Sequence, residues 1–121
     1  GHPLAGQDEI TIEELQEYPC LSFEQGNYNS FYFAEEVLST YSYKRLIRAN
    51  DRATLLNLMV GLNGYTLCSG ILCDNLNGSD YLAVKLKSDK VMTIGYLKRK
   101  GIALSPLGQK YLEEIRKFEG M

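Results

Sequence analysis

Asp51-Arg52-Ala53-Thr54-Leu55-Leu56-Asn57-Leu58-Met59-Val60-Gly61-Leu62-Asn63-Gly64-Tyr65-Thr66-Leu67-Cys68 and on to Leu72 is the stretch that decides the fold. Asp51 is a helix N-cap candidate, because its carboxylate can accept a hydrogen bond from an unpaired amide of the first turn. Ala53, Leu55, Leu56, Leu58, Met59 and Val60 then put apolar side chains on nearly every side. That pattern predicts a buried helix rather than an amphipathic one. Gly61, Asn63 and Gly64 predict its end, since Gly and Asn most readily take the left-handed backbone of a helix C-cap. Tyr65 to Cys68 reads as a short apolar strand. Helix, Gly/Asn turn and strand together are the αβ half of an open α/β sheet. In such sheets ligands gather at the strand ends, where the loops collect.

Working towards the N-terminus, Tyr43 to Ala49 is a partly alternating strand candidate that leads into the Asp51 cap. Before it, Phe31, Ala34, Val37, Leu38 and Tyr41 recur at helical spacing, with Asn29 or Ser30 as the cap. Glu24 to Ser30 is a polar loop following a strand at Cys20 to Phe23. Thr11-Ile12-Glu13-Glu14 is a capping box that opens a short helical turn through Leu15, closed by Tyr18-Pro19. Residues 2–10 read as a loop. Towards the C-terminus, Asp74 to Asp80 is turn chemistry around Asn77-Gly78. Tyr81 to Leu86 and Val91 to Lys98 are strand-like. Ser105-Pro106 starts a last helix, with Leu107, Tyr111, Ile115 and Phe118 as an i, i+4 apolar stripe.

Composition narrows the function. A chain of 121 residues with 45% apolar and 23% charged residues has the size and balance of one globular domain with its own core. No apolar run approaches the ~20 residues of a membrane span, and no signal-peptide pattern is present. The three cysteines, Cys20, Cys68 and Cys73, lie among apolar residues and form no CxxC pair, so reduced, buried thiols of a cytoplasmic protein are expected. The sole histidine is His2, which argues against zinc, and no cofactor motif is present. A nucleophile lacks a base partner and no Gly-rich phosphate loop exists, so catalysis is not expected. Residues 1–42 carry eight carboxylates and no Lys or Arg, whereas residues 43–121 carry 13 basic and seven acidic residues. The halves are −8 and +6, which suits either two solvated faces of a monomer or attraction between copies. Lys98-Arg99-Lys100 is too short a cluster to mark a nucleic-acid surface on a net acidic chain.

Four stretches taken in order resemble the effector-binding domain of LysR-type transcriptional regulators. They are His2 to Ala5, Glu14-Leu15 with Tyr18-Pro19, Asp51 to Leu67, and Leu104 to Gly108 with Tyr111-Leu112. Two departures stand out: Asn63 replaces a signature glycine, which Asn's tolerance of the left-handed region accommodates, and Cys68 replaces a usual proline. The resemblance implies a periplasmic-binding-protein-like (type II) lobe, with an open mixed sheet flanked by helices. Residues from about 4 to 90 would form the second subdomain of the effector-binding domain. Residues from about 91 to 118 would form the strand and helix that return to a first subdomain. Neither that subdomain nor the helix-turn-helix DNA-binding domain matches anything in these residues, so the chain reads as a fragment. The implied partners are a small-molecule effector, a carboxylate or amino-acid-like metabolite, and further copies of the chain, with DNA reached only through the helix-turn-helix domain. By position, the cleft wall would be Ser22, Glu24, Gln25, Gly26, Asn27 and Tyr28, with Tyr65 and Thr66 facing them. A helix N-terminus beside that loop would favour an anion. The same polar residues could equally serve only to cap that helix. Without a first subdomain, the stripe from Leu107 to Phe118 would fold back or pair with a second chain.

Overall fold

A computed structural model describes residues 1–24, 41–91 and 95–117, the side chain of Asp74 excepted. Two of its strands, β1 (Glu9–Ile10) and β2 (Cys20–Phe23), flank a single-turn helix, α1 (Ile12–Leu15). The capping box forms as its spacing dictates. Glu14 N–H donates to Thr11 Oγ1 at 3.3 Å, and Thr11 N–H donates to Glu14 Oε2 at 2.8 Å. After Tyr41 come β3 (Leu46–Ala49) and α2 (Arg52–Gly61), then α3 (Asp74–Asn77), β4 (Lys85–Leu86) and α4 (Pro106–Arg116).

The centre is the β2–β3 pair with α2 laid across it. The strands run parallel, Cys20 opposite Leu46 and Phe23 opposite Ala49. Side chains alternate in a strand, so Leu21 and Phe23 of β2 and Ile47 and Ala49 of β3 share the face that α2 covers. Leu21, Ala49 and Leu55 are the buried centre, with Phe23, Ile47, Leu56, Leu58 and Met59 around them. α2 begins as expected: Thr54 N–H donates to Asp51 Oδ1 at 2.8 Å. Its end is a Schellman turn. Asn63 takes φ +50° and Gly64 N–H donates to the Met59 carbonyl at 2.8 Å. The glycine at 64 is there for space. A Cβ would collide with Leu21 Cδ2 and press on the Pro19 carbonyl oxygen.

Several expectations change. α2 is not buried all round: of its residues only Leu55 is buried, while Ala53 and Val60 are exposed. Its apolar surplus has one sheet face to pack against, and nothing among the described residues covers the other sides. The strand expected over Tyr65 to Cys68 contracts to one parallel bridge between Cys20 and Tyr65. Two hydrogen bonds secure it, Leu21 N–H to the Tyr65 carbonyl at 2.8 Å and Tyr65 N–H to the Pro19 carbonyl at 3.0 Å. Cys68 and Cys73 are accordingly exposed, and only Cys20 is buried. The expected thiol burial fails where no ladder forms to turn one side of the chain inward.

Instead of one open mixed sheet, the described residues hold two separate two-stranded sheets, β1–β4 and β2–β3, each parallel. β1 falls in residues read as a loop, and two residues are too few for alternation to register. It pairs Glu9 with Lys85 and Ile10 with Leu86, and Lys85 Nζ adds an exposed ion pair to Glu9 Oε1 at 3.0 Å. The first four residues of the expected strand Tyr81 to Leu86 stay irregular. Residues 95–98 form no strand, and 92–94 lie outside the described residues, as does the helix expected from Phe31. The turn expected at Asp74 starts with the single helical turn of α3 before Gly78 takes φ +71°. α4 is capped as read, with Ser105 Oγ accepting from Gly108 N–H at 3.1 Å behind Pro106. Against the described residues its stripe does not fold back: Leu107 is 78% exposed and Tyr111 66%. Phe118 lies outside the described residues.

Candidate functional site

Because β2 and β3 are parallel and in register, their C-terminal ends finish side by side. Glu24 N–H donates to the Ala49 carbonyl at 2.9 Å, fixing the first residue after β2 against the end of β3. Asn50 and Asp51 turn the chain from β3 into α2. A shallow, open concavity of about 360 Å³ lies here, lined by Glu24, Arg48, Ala49, Asn50, Thr54 and Leu58. It occupies the position that strand direction assigns to ligands in parallel α/β folds.

Charge at this end is mixed. Arg48 is exposed and takes part in no ion pair among the described residues. Ser22 stands directly across the ladder from it. Arg52 is engaged elsewhere, its guanidinium 5.5 Å from the centroid of the Phe23 ring. Asp51 spends its carboxylate on the first turn of α2. The backbone and side chain of Thr54 hydrogen-bond that carboxylate and hold it below the usual range for Asp. The Thr54 amide of the helix N-terminus is therefore already taken by Asp51.

The sequence-derived site is only partly gathered here. Glu24 lines the concavity, and Ser22 is on the adjoining strand position. Gln25, Gly26, Asn27 and Tyr28 lie outside the described residues. Tyr65 pairs with Cys20, the first residue of β2, four residues before Glu24. At the usual rise that is roughly 13 Å away. Thr66 follows one step closer. Burial, then the neighbouring Cys20 thiol and Tyr43 hydroxyl, push the Tyr65 hydroxyl well above the usual phenol range, so it remains a neutral donor. Arg48, Asn50 and Thr54 were missed by the sequence reading. The same strand-end rule pointed to them, because they follow or close the strand that runs into the Asp51 cap.

Among the described residues, no group of three or more His, Cys, Asp or Glu side chains could hold a metal ion. None of their helices is long and apolar enough to cross a membrane.

No curated protein and no solved structure matches the chain. The family described as LysR substrate binding domain matches residues 1–119. Domains of this family belong to transcription regulators, where they bind small-molecule effectors, and the family implies a periplasmic-binding-protein-like fold. With a match that spans nearly every residue and a parallel α/β centre that opens at its strand ends, this chain belongs to the LysR substrate-binding domain family.

Proposed function

We propose that the chain is the ligand-sensing lobe of a bacterial LysR-type regulator, holding a small anionic metabolite against the C-terminal ends of β2 and β3. The observation that carries this is the concavity of Glu24, Arg48, Asn50 and Thr54 at those ends, in a chain of this family. Ser22, Glu24, Gln25, Gly26, Asn27 and Tyr28, with Tyr65 and Thr66, form one wall of a cleft whose other wall is a first subdomain. Residues from about 4 to 90 are the type II periplasmic-binding-protein-like lobe, and residues from about 91 to 118 are the returning strand and helix. The β1–β4 pairing supports that boundary, since it ties Glu9 to Lys85 and so closes the chain on itself just short of residue 90. Effector binding shifts the population of closed clefts in a cytoplasmic oligomer. That shift alters how separate helix-turn-helix domains sit on DNA.

A thermal-denaturation screen of small carboxylates and amino acids tests the binding step. A ligand present at 100 times its Kd adds about 2.7 kcal/mol of stability, a rise on the order of 10 °C for a domain of this size. If no compound raises Tm or shifts the amides of residues 22–28, 48–54 and 65–66, the site is wrong.

One observation favours a second reading, a self-associating interaction module. Leu107 and Tyr111 leave the stripe of α4 open to solvent among the described residues. Light scattering over a concentration series separates the two. A dimer that dissociates when Leu107 and Tyr111 become Ser supports association through α4, and a monomer at all concentrations removes it.

A further inference from the structure

We infer that Lys98-Arg99-Lys100 is a processing site, where an endoprotease with an acidic specificity pocket cuts the chain and detaches α4 from the β2–β3–α2 centre. The inference is independent of the ligand-binding reading. It gives a role to a basic run too short to mark a nucleic-acid surface. Residues 98–103 are all exposed, and no strand or helix includes any of them. None of the three basic side chains enters an ion pair among the described residues. Exposed loops are where such cuts fall, because several residues must straighten in the protease cleft. One contact opposes that here: Ile102 N–H donates to the Arg99 carbonyl at 3.3 Å across a turn with Gly101 at φ +80°. That is the glycine position of a type II turn. Opening one such hydrogen bond lowers the reactive fraction by about tenfold.

The basic residues of the centre are held more firmly. Lys44 pairs with Glu17, and the Arg45 guanidinium donates to the Glu17 carbonyl at 3.0 Å. Arg48 is in β3, Arg52 begins α2 and Lys85 is in β4. Presenting such a ladder or helix to a protease takes an opening that populates roughly one molecule in 10³ or fewer. Lys110 and Arg116 need α4 unwound. Lys90 is exposed, but stands alone beside Asp89, whose carboxylate an acidic pocket repels. The cut also frees its product. Among the described residues, every hydrogen bond and ion pair of residues 95–117 stays within that segment. No residue of α4 is buried. Water adds to the carbonyl carbon of the cut residue as the bond to the next nitrogen breaks, leaving a carboxylate on the centre and an amine on the peptide. The peptide is then too short to keep its helix in water.

The test is a time course of the 121-residue chain with limiting trypsin, whose acidic pocket takes Lys and Arg, read by intact mass. The first products should be a fragment ending at Lys98, Arg99 or Lys100 and its C-terminal complement. They should form on the order of 100-fold faster than any cut between Lys44 and Lys87. The large fragment should unfold in urea at the parent's midpoint, with less helical ellipticity. Lys98→Gln, Arg99→Gln and Lys100→Gln together, all at exposed positions, should abolish the first cut and leave the midpoint unchanged. A first cut at any other basic residue, Lys90 and Lys110 included, overturns the site. A large fragment that unfolds earlier than the parent, or that stays joined to its peptide through gel filtration, overturns the detachment.

Discussion

Gly61 and Gly64 are three residues apart at the end of α2, and replacing each with alanine should move stability in opposite directions. At Gly61, the last helical residue, an added Cβ meets nothing within 4 Å. Alanine there restricts the unfolded chain and suits the helix, a gain of about 0.5–1 kcal/mol. At Gly64 the same methyl is driven into Leu21 Cδ2 and against the Pro19 carbonyl oxygen. Leu21 is fully buried, and Pro19 carries the carbonyl that accepts from Tyr65 N–H at 3.0 Å, so neither neighbour can yield without opening the core or the bridge. Overpacking of this kind costs about 1–3 kcal/mol. The two variants should therefore differ by roughly 1.5–4 kcal/mol, or roughly 1–2 M in urea midpoint for a denaturant slope near 2 kcal/mol per molar. Urea unfolding followed by circular dichroism reads this directly. Equal midpoints, or a Gly64→Ala variant as stable as the parent, would refute the close approach of the α2 turn to β2 on which the whole centre depends.

Asn63→Val should lower stability by about 1–2 kcal/mol, because a β-branched residue resists the φ of +50° seen there. Asn63→Gly should match or slightly exceed the parent in the same urea assay. A thiol reagent should modify Cys68 and Cys73 in the native protein and reach Cys20 only on unfolding, as mass spectrometry of labelled peptides would show. Asp51 and Glu14 both have pKa values lowered by the hydrogen bonds of their caps. Groups depressed on folding stabilise above their unfolded pKa and lose that contribution as pH falls through the folded value. Stability should thus decline below the usual carboxylate range, and Asp51→Asn, which keeps a cap without a proton to gain, should flatten part of that acid limb in urea titrations at stepped pH. Leu21→Ala should cost about 2–5 kcal/mol, given that Leu21 is wholly buried at the centre.

What the residues alone made legible was local chemistry with a single partner. The Thr11 capping box, the Asp51 and Ser105 caps and the left-handed Asn63 are decided within four residues, and each is found where it was read. Strands were read too long, because propensity marks where a strand is permitted and pairing decides where it exists. Tyr43 and Lys44 have the composition of a strand, yet the ladder starts at Leu46 opposite Cys20, with Cys20 N–H reaching back only to the Arg45 carbonyl at 2.9 Å. Burial was over-read for a related reason. Val60 is as apolar as Leu55, but Leu55 is buried against the β2–β3 face while Val60 is exposed, and sequence cannot say how many faces a helix will find covered. Of the residues that line the concavity, Glu24 was named in the sequence from its place after a strand. Arg48 was not, because as a strand residue it was assigned to alternation rather than to the strand's end.

The centre of this fold and its candidate site are mechanically one object. Ala49 is buried against Leu21 and Leu55 below, and also lines the concavity above; its carbonyl holds Glu24. Arg48 and Asn50, its immediate neighbours in the chain, are the polar lining. Anything held in that concavity therefore bears on the one residue shared by the core and the recess, and the close-packed core resists being displaced. The strand ends are held to the core for that reason. The α4 stripe is the opposite case, capped at its start but packed against nothing described, so its position is free to be set by whatever surface it meets. The ligand-sensing role proposed above uses both properties, a firm place to hold a ligand and a loosely held element to report it. Ligand should therefore slow amide exchange at residues 46–58 first, and any change at 106–116 should require the partner surface as well as the ligand. Protection gained on α4 by ligand alone, with no second surface present, would contradict this division of labour.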